Sequence, residues 1–240
     1  MSLNFFRIGR ALLAAGLGGI GAIMLVIQAP IARLTPHGEP FAAGPALALA
    51  IGVMLVVAAA GLLVSRFAGI AGFVLAALLL ADTALAHLPY IAAKPASGGR
   101  WSEAFITLAL AASAYLASGY DFGPSRRAAK LGYGLALCVF GVAHWLYRDA
   151  IAGMIPAWMP GRPWWPWLTG AANLAAGLAM VLGVKARLAA LMVGAMFGSW
   201  VLLLHIPAVV SEPGSAIQWA ALAIALGLWG GAWLGAEKRP

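Results

Sequence analysis

The sequence predicts an all-α, polytopic transmembrane bundle of eight helices, and three observations carry that expectation. Of the 240 residues, 63% are apolar and only 9% carry a charge, against about 45–50% and about 25% in ordinary soluble domains. Mean hydropathy is +0.94, more hydrocarbon than a soluble fold of this length can hide. The apolar residues also gather into runs near the length that crosses a bilayer, about 20 residues per helix. A disordered chain, a disulfide scaffold and a soluble nucleic-acid binder are excluded.

Eight runs cover approximately residues 7–28, 43–64, 66–88, 101–119, 129–147, 165–184, 186–208 and 215–235. The first follows Arg7 and Arg10, and the stretch Pro30 to Pro40 separates it from the second. Only Ser65-Arg66 divides the second from the third, the least marked break in the chain. Turn-forming residues from Pro89 to Gly99 precede the fourth, and a polar linker, Asp121 to Lys130, precedes the fifth. A long stretch from Arg148 to Pro163 leads to the sixth, Lys185 to Arg187 to the seventh, and Glu212-Pro213-Gly214 to the eighth. Arg7 and Arg10 before an apolar stretch ending near Ala29 are reminiscent of a secretory signal. The run is longer than a signal core and lacks a clear small-x-small cleavage site, so it is expected to stay as a span.

Charge orients the bundle. With the N-terminus inside, Arg7, Arg10, Arg66, Arg126, Arg127, Lys130, Lys185, Arg187, Lys238 and Arg239 lie on the cytoplasmic side, and Arg33, Lys94, Arg100, Arg148 and Arg162 outside. That asymmetry follows the positive-inside rule and places both termini in the cytoplasm of a multi-pass inner-membrane protein. The net charge of +8 therefore reads as orientation rather than as a nucleic-acid surface. A single cysteine, Cys138, excludes thiol–disulfide chemistry within the chain.

The halves echo each other. His87-Leu88-Pro89 and His205-Ile206-Pro207 stand 118 residues apart, as do Gly52 and Gly170, and the cationic turns at Arg66 and Lys185 fall nearly in register. In the first and fifth runs the best offset is 123, pairing Gly9 with Gly132 and Gly18 with Gly141. Two tandem four-helix repeats are expected, residues 1–120 and 131–240 with linker 121–130. An even number of spans per unit makes them parallel, related by an axis along the membrane normal. Gly, Ala and Ser crowd segments such as Ala14 to Gly19, Ala111 to Ala114 and Gly227 to Ala232, where small surfaces let helices approach in lipid. Most tryptophans are expected at the outer interface.

Titratable groups inside spans are costly and mark candidate sites. Asp82, His87, Glu103, His144 and His205, with Arg148 just beyond, all fall toward the outer ends of their runs. His144, Tyr147 and Arg148 are spaced i, i+3, i+4 and would share one helix face. They suit either an anionic or carbonyl-bearing ligand, or an interfacial Tyr and Arg beside a histidine tied to a helix carbonyl. His87 and His205 either cap helix ends or bond a ligand such as the two carbonyls of a quinone; haem or metal is not favoured, because no third ligand stands at a short spacing. Asp82 lies five residues before His87, about 140° around an α-helix, so the two are not expected to couple. Asp82 is expected to pair with Arg100 or a hydroxyl such as Thr83, or to relay protons. Glu103 is expected to complement the start of the fourth helix, with proton relay as the alternative. Trp158, in the Pro/Trp-rich loop 154–167, either helps form a flat slot or lid over a ring-shaped ligand or belongs to a plain interfacial turn.

Phe140-Gly141-Val142-Ala143-His144-Trp145, Met154-Ile155-Pro156-Ala157-Trp158-Met159-Pro160, the run Gly170 to Gly177 followed by Lys185-Ala186-Arg187, and His205-Ile206-Pro207 resemble the DoxX-like membrane family. The resemblance covers about residues 129–210. It implies a four-helix membrane unit, and the family includes components of quinone-linked oxidoreductase complexes. His144 matches the family's Gly-x-x-His histidine. Asn173 stands where an acid is expected, which departs from the pattern, and at the 123-residue offset Gly21 replaces His144 in the first half. The expected function is an integral membrane subunit of a redox complex that binds quinone near the outer leaflet through His144 and either His87 or His205. Its partners would be the lipid bilayer and other membrane or periplasmic subunits, with no nucleic acid. A non-catalytic assembly or structural subunit and a small-solute transporter are the alternatives.

Overall fold

A computed structural model describes residues 4–31, Leu34 and residues 44–237; Arg33, Lys238 and Arg239 lie outside the described residues. All regular structure among the described residues is helical. We number the helices α1 (Phe5–Ile27), α2 (Pro45–Leu63), α3 (Ala68–Ala93), α4 (Gly98–Ser118), α5 (Gly123–Leu146), α6 (Arg148–Met154), α7 (Trp165–Leu182), α8 (Ala186–Ser211) and α9 (Ala216–Gly235). Six of them, α1, α2, α3, α5, α8 and α9, are long and apolar enough to cross a membrane. The fold is that of a multi-pass membrane protein. α4 and α7 match the fourth and sixth expected runs in length but are less apolar.

Local chemistry sets the helix ends. The Asn4 side chain accepts from Arg7 N–H at 3.1 Å and starts α1, satisfying one of the free N-terminal donors. Pro45, Pro124 and Pro166 open α2, α5 and α7, where the missing N–H costs nothing. Gly119 and Gly183, at φ 80° and 71°, close α4 and α7 in the left-handed conformation that glycine tolerates. α5 begins at Gly123, so residues 123–130 are helix rather than linker. The break between halves is only four residues, 119–122, because Pro124 is placed to start a helix, not to interrupt one.

Two helices contain a wide π turn, Thr83–His87 in α3 and Val201–His205 in α8. Leu88 N–H bonds to Thr83 O and Ile206 N–H to Val201 O, each five residues back. Pro89 and Pro207 follow at once. A proline ring clashes with the carbonyl four residues earlier in a regular helix, and the wider turn relieves that clash.

The packing exchanges partners between the halves. α1 lies against α2 and α9, α5 against α7 and α4, while α4 and α9 also touch each other and fill the centre. Glycine makes the close approaches possible: a Cβ on Gly16 would meet Ala223 O at 2.5 Å, and one on Gly230 would meet Gly9 O at 2.5 Å. At the centre Tyr133 is fully buried and its hydroxyl donates to Leu228 O at 2.6 Å. The register of the glycines differs from expectation. Gly21 lies on Gly52 as Gly141 lies on Gly170, an offset of 120 between α1 and α5 rather than 123. Met24, buried at 3% exposure, stands 120 residues before His144. Spacing alone could not separate these registers, because they differ by less than one helical turn.

Candidate functional site

The π turn in α3 builds a polar cluster around a fully buried histidine. A π-helix completes a turn in more than four residues, so positions five apart nearly face the same way. Asp82 Oδ2 thereby comes within 3.4 Å of His87 Nε2. This overturns the expectation that the two diverge by about 140°, which holds only for a regular α-helix. Asp82 is 22% exposed and His87 fully buried.

His87 Nε2 also lies 2.8 Å from Leu34 O and 3.1 Å from Thr107 Oγ1 on α4. A carbonyl only accepts, so Nε2 carries the proton. That N–H points into three acceptors: a main-chain carbonyl, a hydroxyl and a carboxylate. Thr107 Oγ1 donates its own proton to Glu103 O at 3.3 Å. On the far side of the ring, Nδ1 is buried with no hydrogen-bond partner among the described residues. With Nε2 carrying the proton, Nδ1 keeps its lone pair. Leaving such a group unsatisfied costs about 1–3 kcal/mol, a cost that structures tend to carry where the group has work to do.

The other expected partners go elsewhere. Arg100 donates through Nη1 to Tyr90 O and stacks 3.9 Å above the Tyr90 ring. Thr83 donates to Leu79 O in its own helix at 2.8 Å. Neither is the partner of Asp82. Glu103 is the sixth residue of α4, because the helix starts at Gly98 rather than near Trp101. It lies beyond the first turn, out of place to complement the N-terminus, and belongs instead to the turn that receives the Thr107 hydroxyl.

His144 takes the quieter of its two readings: its Nδ1–H donates to Phe140 O at 2.7 Å, four residues back. The shared face with Tyr147 and Arg148 is not formed, since α5 ends at Leu146 and Arg148 begins α6. Arg148 turns to Asp149, at 3.7 Å, and to the Trp167 ring, at 5.9 Å. Tyr147, 42% exposed, reaches Gly98 at the start of α4. Trp158 is 66% exposed and has no ring partner among the described residues. The rings of its loop pair edge-on or tilted, Trp165 with Trp200 and Trp145 with Trp167, which makes no flat slot.

The three candidate histidines sit on helices with different packing partners. α3, which carries His87, packs on α2 and α4; α5, with His144, on α4 and α7; α8, with His205, on α7 and α9. None of the three helices packs along another, and no hydrogen bond or ion pair joins His144 to His87 or His205 among the described residues. His205 shares the π turn but not the acid. Trp200 stands five residues before it, and Ala225 stands where Thr107 would be matched at the 118-residue offset. Sequence reading missed Thr107 and Leu34 altogether. A signal existed for Thr107, a polar residue inside the apolar fourth run; none existed for the Leu34 carbonyl.

No family model, curated protein or solved structure matches the chain.

Proposed function

We propose that the chain is an integral membrane subunit of a redox complex, of DoxX-like type, in which the Asp82–His87 pair takes up a proton as a quinol is oxidised near the outer leaflet. The observation that carries this reading is the buried Nδ1 of His87, which has no hydrogen-bond partner among the described residues, on a ring whose other nitrogen faces a carboxylate. A quinol hydroxyl reaching Nδ1 would hand its proton to that lone pair as the Nε2 proton passes to Asp82. The two electrons go to a redox centre of a partner subunit, and the second proton leaves to water.

The same reading treats the chain as two parallel four-helix units spanning the membrane eight times, with both termini cytoplasmic. Three matched contacts support duplication. The π turns lie 118 residues apart. Trp101 Nε1–H donates to Pro95 O and Trp219 Nε1–H to Pro213 O, each at 2.9 Å. Arg10 donates to Ala117 O and Lys130 to Glu237 O, both across 107 residues.

A non-catalytic structural subunit is the second reading, favoured by the complete burial of His87 and by the three acceptors on its Nε2–H. The ring would then lock the Leu34 segment to α3 and α4. The two separate in the purified host complex. The redox reading expects quinone to co-purify, and expects Asp82→Asn to lower quinol-driven electron flow by tenfold or more while the complex stays assembled. Unchanged flow in both Asp82→Asn and His87→Gln complexes removes it and leaves the lock.

A further inference from the structure

A second polar feature sits at the opposite end of the bundle, where α5, α7, α8 and α9 leave a cavity of about 590 Å³. Lys130, Lys185, Arg187 and Glu237 line it on one side, and Met180 and Leu188 supply an apolar wall. Lys130 reaches across to Glu237 O at 3.2 Å. Lys185 and Arg187 are exposed and have no hydrogen-bond, ion-pair or ring partner among the described residues. The matching cations of the first half are engaged: Arg10 lies 4.5 Å over the Phe6 ring and Arg66 lies 4.4 Å over Phe67.

More positive potential converges on the cavity. α8, 26 residues long, starts at Ala186 with no side-chain cap and no acid in its first turn, so its free N–H groups and dipole favour an anion. One turn before Lys130 on α5, outside the cavity lining, Arg126 is 7% exposed and neither Nη1 nor Nη2 has a hydrogen-bond partner among the described residues. Among the described residues, three cations, Lys130, Lys185 and Arg187, line the cavity against one acid, Glu237, and Asp121 is the other carboxylate near Lys130.

We propose that this cavity binds the phosphate of an anionic phospholipid. Lys185, Arg187 and the start of α8 would hold the headgroup oxygens, and the acyl chains would run along Leu188 and the outward face of α8. Basic pockets between membrane helices suit such headgroups, and the apolar wall is what distinguishes a lipid phosphate from a free one. The inference does not depend on the quinol reading.

The test is native mass spectrometry of the full chain in detergent with added phosphatidylglycerol or phosphatidylcholine. Wild type is expected to retain phosphatidylglycerol over phosphatidylcholine, and the Lys185→Gln/Arg187→Gln variant to lose about tenfold or more of that retention. Lys185→Arg/Arg187→Lys should keep it. Arg7→Gln/Arg66→Gln removes two exposed cations elsewhere and should leave retention unchanged, as should millimolar inorganic phosphate. Three results overturn the proposal: equal retention by the Gln variant with unchanged melting temperature, equal loss in the Arg7/Arg66 control, or complete displacement by inorganic phosphate, which would make the ligand a free anion.

Discussion

The contact between Asp82 and His87 exists only because a π turn intervenes, and a double-mutant cycle measures it directly. The perturbations are Asp82→Asn, which keeps the shape and an acceptor oxygen, and His87→Gln, which removes the ring. The Nε2–H is shared among Leu34 O at 2.8 Å, Thr107 Oγ1 at 3.1 Å and Asp82 Oδ2 at 3.4 Å. A charge-assisted hydrogen bond of good geometry contributes about 1.5–3 kcal/mol. At 3.4 Å the carboxylate is beyond the usual N–H···O range of about 2.7–3.2 Å, so the coupling should fall near the lower bound, about 1–1.5 kcal/mol. His87→Gln alone should cost more, about 2–4 kcal/mol, because it empties a fully buried site and leaves Leu34 O without its donor. Reversible unfolding of the full chain in mixed micelles gives the four free energies. A cycle between Asp82→Asn and the distant, exposed Ser211→Ala is the control and should be additive within about 0.5 kcal/mol. If the Asp82/His87 coupling is no larger than that control, the π turn does not join the two side chains and the proton-handling pair is lost with it.

Helix contacts give further tests. Gly16→Ala places a methyl 2.5 Å from Ala223 O, a backbone atom that cannot step aside, and should cost about 1–3 kcal/mol in the same unfolding assay. Gly153→Ala meets nothing within 4 Å and should be neutral or stabilising by up to about 1 kcal/mol. Tyr133→Phe removes the 2.6 Å bond to Leu228 O and should cost about 0.5–1.5 kcal/mol without altering assembly on a sizing column. Finally, Lys185→Cys and Glu212→Cys, in a Cys138→Ser background, should label from opposite sides of sealed vesicles. They flank α8, whose 26 residues extend about 39 Å, more than the hydrocarbon core.

Much of the bundle was legible because helix length and apolar composition are local properties. A run bounded by Pro, Gly or charge declares itself whatever it packs against, and each of the eight expected runs corresponds to a long helix. The recurrence of His-x-Pro was also visible, and both copies turned out to sit on π turns. The site was less legible. Counting at 100° per residue set Asp82 and His87 apart, whereas the proline two residues beyond His87 changed the count itself. His144 drew attention as a titratable group in an apolar run, yet the carbonyl four residues behind it satisfies Nδ1.

Composition and spacing by themselves settled that this chain is an all-helical membrane protein, roughly where each helix begins and ends, and which few polar groups it carries among them. Only the folded structure decided which helices are neighbours. In lipid, apolar side chains gain nothing by leaving solvent, so partner choice falls to shape: Gly16 meets Gly227, and Gly141 meets Gly170, wherever two backbones can approach. That same tertiary arrangement brought Leu34 O and Thr107 from distant parts of the chain onto one imidazole. It also kept His87, His144 and His205 on helices that do not pack together, because a residue's depth along its helix is set by the sequence while its neighbours are set by the packing.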